Sequence, residues 1–179
     1  SVRPFTITRI QRPYPVNSGV LPDSTAVIAF GNPNTARVAA LGINPSYTEF
    51  DRNNLLRLSQ FGLSGPEELT DDQARQVARA CYDYFTNDKT HWLFTRMERF
   101  AVNPAGASYF DGTACHLDIT PWATNPVWSA LDPQVREDLL AADGAFLRDQ
   151  LAEHSFEVLL VNGRQALDVF QEEFAELEF

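Results

Sequence analysis

The run FEVLLVNG (156–163) passes directly into GRQALDVFQEEF (163–174). The first stretch is the strongest strand signal in the chain, and the second leaves it as a helix. The same alternation recurs upstream. TAVIAF (25–30), ARVAALGI (36–43) and ACHLDIT (114–120) read as strands. Between them, Thr70-Asp71-Asp72-Gln73 is a capping box that opens a helix to about Thr86, with Val77, Ala80, Cys81 and Tyr84 at helical spacing. HWLFTRMERFA (91–101) predicts a second amphipathic helix, ended by Asn103-Pro104, and Asp132-Pro133 caps a third with Pro at its first position. Residues 53–61 fit a short helix. GNPNT (31–35) is turn chemistry, so 25–30 and 36–43 are expected to pair as an antiparallel hairpin. Pro4, Pro13, Pro15 and Pro22 predict that residues 1–23 form an extended arm on the surface. The succession predicts an α/β fold: a three-layer sandwich with a mostly parallel central sheet, helices on both faces, and an N-terminal β-hairpin.

A chain of 179 residues can bury a sizeable core, and nothing in it marks a repeat, a low-complexity tract or a linker, so residues 1–179 are expected to form a single domain. No apolar stretch approaches the ~18–20 residues a membrane helix needs, and SVRPFTITRIQRPYP lacks the apolar centre of a signal peptide. Cys81 and Cys115 lie in segments of different type, which favours reduced, buried thiols in a cytoplasmic protein. The net charge of −10 argues against a nucleic-acid partner, but the acidity is localised. Residues 1–110 carry 11 Arg/Lys against 10 Asp/Glu, whereas residues 111–179 carry 3 against 14. Thirteen of the fourteen basic residues are Arg, the better phosphate fork.

In a parallel α/β sheet, ligands bind outside the carboxyl ends of the strands. That rule nominates three loops, GINPSYTEF (42–50), TPWATNPVW (120–128) and NGRQ (162–165). Within the first, Asn44 is either a turn residue or a neutral amide able to hold a water by donating and accepting hydrogen bonds. His116, Asp118 and Thr120 share one face of their strand, opposite Cys115, Leu117 and Ile119. A His-x-Asp pair supplies at most two metal ligands and no third is evident, so no metal or organic cofactor is expected. His91 and His154 read as surface residues. Ser18, Ser46 and Ser108 lack the setting of a nucleophile elbow, and no dinucleotide or phosphate-loop glycine pattern occurs. Trp122 and Trp128 read as a lid on the core or as a platform for bases.

Three of these stretches, in order, resemble the uracil-DNA glycosylase superfamily in its mismatch-specific and single-strand-selective branches. GINPS (42–46) is similar to the first motif, CHLDITPW (115–122) to the base-reading segment, and VLLVNGRQA (158–166) to the third strand and its helix; together they cover roughly residues 25–170. The resemblance implies hydrolysis of the N-glycosidic bond of a damaged or deaminated base, with DNA or a nucleobase-containing ligand as partner. It implies that Asn44 holds the attacking water, that Gly42, Ile43, Pro45 and Ser46 shape the turn, and that Tyr47 or Phe50 stacks on a flipped base. It further implies that Asp118 contacts the base edge with His116 and Thr120 nearby, and that Asn162, Gly163 and Arg164 sit near a phosphate. The pattern departs from the family at Ser46, where Gly is usual, and at Asp118, where an amide is usual. The family's second active-site motif follows a fourth strand, which the sequence up to Phe179 does not carry. The chain is then a truncated form, has lost a tail, or lacks the clamp on the leaving base. Two other functions fit the same residues: a non-catalytic domain that binds a nucleobase, nucleotide or protein, and an enzyme acting on free nucleosides.

Overall fold

A computed structural model describes residues 1–52 and 55–176. It is an α/β fold built on an open, three-stranded parallel sheet: β1 (Val38–Gly42), β2 (Ala114–Asp118) and β3 (Val158–Val161), in the order β2-β1-β3. Val38 lies opposite Ala114 on one side and Val158 on the other, and Gly42 lies opposite Asp118. Every residue of β1 and β2 is buried, whereas β3 is the partly exposed edge. Ala39 and Ala40 give the central strand a thin profile, over which flanking elements pack closely.

The helices are α1 (Pro4–Ile10), α2 (Thr48–Asp51), α3 (Asp71–Tyr82), α4 (Trp92–Met97), α5 (Pro133–Glu153) and α6 (Arg164–Glu173). Their signals act as local chemistry dictates. The Thr70 side chain accepts from Gln73 N, and Asp132 Oδ1 accepts from Gln134 N at 2.8 Å, each satisfying a free first-turn donor. A π-helical turn, Glu98–Val102, continues α4. Among the described residues no helix is long and apolar enough to cross a membrane.

Three sequence expectations are corrected. The hairpin between 25–30 and 36–43 does not form. Both edges of β1 are taken by β2 and β3, and residues 20–30 instead run antiparallel along β2 and the loop after it. Phe30 and His116 exchange backbone hydrogen bonds of 2.8 and 2.9 Å, and Val27 N donates to Pro121 O at 2.9 Å. The GNPNT turn is present, with Asn32 O accepting from Thr35 N and Ala36 N, but a turn redirects a chain without choosing its partner. Nor is the N-terminus simply an extended arm. Pro4 stands at the first position of α1, where its missing N–H costs nothing, and α1 buries Ile7 and Ile10. The short helix expected at 53–61 is a 3-10 turn at Leu58–Phe61; residues 53–54 lie outside the described residues.

A buried ionic cluster ties α1 to α5 and to the end of β2. Asp143, fully buried on α5, accepts from Arg9 Nε (2.8 Å), Arg12 Nη1 (2.9 Å) and Thr120 Oγ1 (2.5 Å). The Arg9 guanidinium lies 4.4 Å over the Trp122 ring, and its two Nη atoms are buried without a hydrogen bond. Burial pulls the Arg9 pKa down to about 10, against the opposing pull of Asp143.

Candidate functional site

β1 and β2 end side by side, and their carboxyl ends open on a cavity of about 300 Å³. The loop after β1 supplies Asn44, Pro45, Ser46 and Tyr47 to its wall. Ser46 bridges to Thr124 as a short parallel pair, which fixes this loop against the one after β2. Asn44 Nδ2 donates to Trp122 O and to Thr124 Oγ1, both at 3.1 Å. Both amide hydrogens are thereby committed to protein, and Oδ1 is the acceptor left for a ligand or a water.

β2 contributes His116 and Asp118, two residues apart and therefore on the same face. His116 Nε2 and Asp118 Oδ1 are 3.1 Å apart, with the two side chains 5% and 3% exposed. His116 Nδ1 is buried without a partner. The rings of Phe30 and Phe94 pack against the imidazole at 5.8 and 5.2 Å between centroids. Gly42 permits this arrangement, since a Cβ there would lie 2.8 Å from Asp118 Oδ1 and 3.0 Å from His116 Nε2. The close approach of two buried polar side chains to the end of β1 is the physical reason for a glycine at that point.

Two further ionisable residues join the site without having been nominated from sequence. Glu49, in the single turn of α2, lines the cavity and is 2% exposed. Its Oε2 accepts from the Tyr84 hydroxyl at 2.6 Å, and that hydroxyl accepts from His91 N at 3.0 Å. Burial pushes the Glu49 carboxyl above its ordinary range; Tyr84, Arg52 and His116 oppose the shift and Asp118 adds to it. Burial, followed by its contact with Glu49, pushes the Tyr84 phenol far up, so it remains a donor. His91 is corrected from a surface residue to a wall residue of the cavity. Its Nδ1 accepts from Leu93 N at 3.2 Å at the start of α4, and burial lowers its pKa, so Nε2 carries the proton. His154, also read as a surface residue, is buried beside Phe156.

The remaining sequence candidates lie elsewhere. Phe50 is 2% exposed in the core and does not line the cavity, because one step along a helical turn rotates a side chain by about 100° away from its neighbour. Ile43 is half-buried, and its carbonyl accepts from Thr120 N at 2.9 Å. Thr120 directs its hydroxyl to Asp143, away from the cavity. Asn162, Gly163 and Arg164 follow β3, on the far side of β1 from β2, and do not line the cavity; Gln165, one residue further, does. Gly163 caps α6 at φ 88°, and Arg164 is exposed, 3.8 Å from Asp168. Of the two tryptophans, Trp122 is core, edge-on to Tyr14, while Trp128 lines the cavity with Val127. Both cysteines are free and buried. Comparison with protein-family models, with curated proteins and with solved structures returned no significant match.

Proposed function

We propose that the chain is a DNA glycosylase-like protein that hydrolyses the N-glycosidic bond of a damaged or deaminated base. The observation that carries this reading is Asn44: both its donors are fixed by Trp122 O and Thr124 Oγ1, and its carbonyl oxygen is left over in a cavity shared with Asp118. A neutral amide does not titrate, so it cannot generate hydroxide, but it can place a water. Placement suffices when the leaving group departs first. In this reaction the C1′–N bond breaks, the base leaves with its electron pair, and water adds to the resulting sugar cation. One water proton ends on the base and the sugar gains the hydroxyl. Tyr47 at the cavity wall stacks on the extruded base, and Asp118 accepts from its edge.

A second feature supports a polynucleotide partner despite the net charge of −10. Trp92, between the cavity-wall residues His91 and Leu93, is 60% exposed, and Phe100, on the π-helical turn that continues α4, is 66% exposed. Arg96 lies 6.0 Å over Trp92, and Arg99 lies 5.1 Å over Phe100. Exposed rings interleaved with arginines are the composition that binds single strands by stacking and charge. The proposal takes the sheet as the centre of a three-layer sandwich of the superfamily's kind, in a cytoplasmic protein whose buried free thiols suit a reducing compartment.

The test is base release from single- and double-stranded oligonucleotides carrying uracil, hypoxanthine or xanthine, with wild type beside Asn44→Ala. Release that falls at least about a hundredfold in the variant is the expected result for a water-placing residue. Equal release by both proteins removes Asn44 from the mechanism. Release from free nucleosides alone moves the assignment to a nucleoside hydrolase, and saturable binding without release to a non-catalytic domain.

A further inference from the structure

We propose that Glu49 works as a neutral acid that donates a hydrogen bond to the ligand while Asp118 accepts one, so that the cavity reads an edge carrying an adjacent donor and acceptor, as on a nucleobase. The inference rests on the base-hydrolysing reading for its ligand class; the geometry stands without it. Glu49 and Asp118 both line the cavity. Among the described residues the Glu49 side chain has no ion pair and one hydrogen bond, on Oε2 from Tyr84. The single Tyr84 hydrogen is committed to that bond because the same oxygen accepts from His91 N. A carboxyl 2% exposed and without a cation partner is far cheaper to keep protonated than charged. Its proton then sits on Oε1, the oxygen Tyr84 leaves free, and Oε1–H becomes a donor for the cavity's occupant.

Asp118 has the opposite character. Oδ1 is taken by His116 Nε2, and Oδ2 remains an acceptor. His116 Nδ1, in a side chain only 5% exposed at the same wall, has no partner in the protein. A buried, unmatched polar atom is costly. Donor and acceptor together match the hydrogen-bonding edge of a lactam or amidine ring. A carboxylate at Asp118 alone offers only acceptors, which leaves a ring carbonyl unsatisfied; Glu49 supplies the missing donor. The charged and titratable groups facing Glu49 are Tyr84, Arg52, His116 and Asp118, with His91 beyond Tyr84.

Direct binding of free uracil, hypoxanthine and cytosine, followed by protein chemical shifts between pH 5 and 9, tests this independently of catalysis. Wild type is expected to bind at least one base and to lose affinity about tenfold per pH unit once Glu49 ionises. Glu49→Gln, which keeps both the acceptor for Tyr84 and a permanent donor, is expected to bind that base within about threefold of the low-pH value and without this decline. 1,3-Dimethyluracil, which has no ring N–H, is expected not to bind. Wild-type affinity that is flat with pH, an unchanged decline in Glu49→Gln, or equal binding of 1,3-dimethyluracil and uracil overturns the proposal. Base binding of the expected kind with no release from any oligonucleotide leaves the inference standing and removes the hydrolase reading.

Discussion

Replacing Gly42 by Ala tests whether the end of β1 is shaped around the His116–Asp118 pair. The added methyl falls 2.8 Å from Asp118 Oδ1 and 3.0 Å from His116 Nε2. Relaxed contacts to carbon lie at about 3.5–4.0 Å, so something has to move. Asp118 is the direct ladder partner of Gly42, and the imidazole is backed by the Phe30 and Phe94 rings. If the pair holds together and repacks around the methyl, the cost is that of overpacking, about 1–3 kcal/mol. If it breaks, the loss is a buried hydrogen bond to a charged group, about 1.5–3 kcal/mol. Both routes give a loss of about 1–3 kcal/mol, and each kcal/mol lowers the melting midpoint by about 2–4 °C in a chain of this size. Urea unfolding measures the loss, and the imidazole ¹⁵N resonances of His116 report whether its hydrogen bond survives. A variant within about 0.5 kcal/mol of wild type, with unchanged His116 resonances, would refute the account of Gly42.

Three further outcomes are expected. Asp143→Ala leaves the buried Arg9 guanidinium without its counter-charge and should cost about 3–5 kcal/mol in urea unfolding; a loss under about 1 kcal/mol would mean that the cluster is not what holds α1 to α5. Stability should depend on the ionisation of Glu49. An acid whose pKa rises on folding contributes fully below the ordinary glutamate range, and that contribution disappears as pH rises through the elevated native value. Unfolding curves from pH 4 to 8 should therefore show a decline in wild type that Glu49→Gln lacks, and parallel curves would contradict a neutral Glu49. Trp92→Ala and Phe100→Ala, both at exposed positions, should leave stability within about 0.5 kcal/mol yet weaken single-stranded oligonucleotide binding by about 1–3 kcal/mol per lost stack. Unchanged affinity in a fluorescence titration would remove this surface from the polynucleotide reading.

Much of the fold was legible because its signals are local. The capping box at Thr70, the Asp132-Pro133 start of α5 and the passage from β3 into α6 are each decided by residues within one turn of one another. Partners in the sheet were not legible. TAVIAF has the same alternation whether it pairs with β1 or with β2, and only the prior claim of β3 on the second edge of β1 decides. Similarly, FEVLLVNG is the strongest strand signal in the sequence and yet β3 is the most exposed of the three, because composition reports that a stretch can form a strand and says nothing of its place in the sheet.

Of the loops nominated from sequence, those after β1 and β2 line the cavity, the one after β3 reaches it only through Gln165, and one neighbouring pair in the first shows why side chains were misassigned. In TEFD (48–51) an aromatic stands beside a carboxylate, and the aromatic was expected to serve the ligand. A single helical turn cannot direct both side chains the same way. Phe50 gains more from the dry core than from a half-open wall, so it turns inward, and Glu49 is left facing the cavity. Once there it needs a donor, and Tyr84 provides it from 35 residues away in sequence. That partner is invisible to any local pattern, and so is the protonation state it leaves to Glu49. The chemistry of this cavity thus follows from the same partition that builds the core: the apolar member of the pair is withdrawn from the ligand, and the polar member is placed where burial alters its acidity.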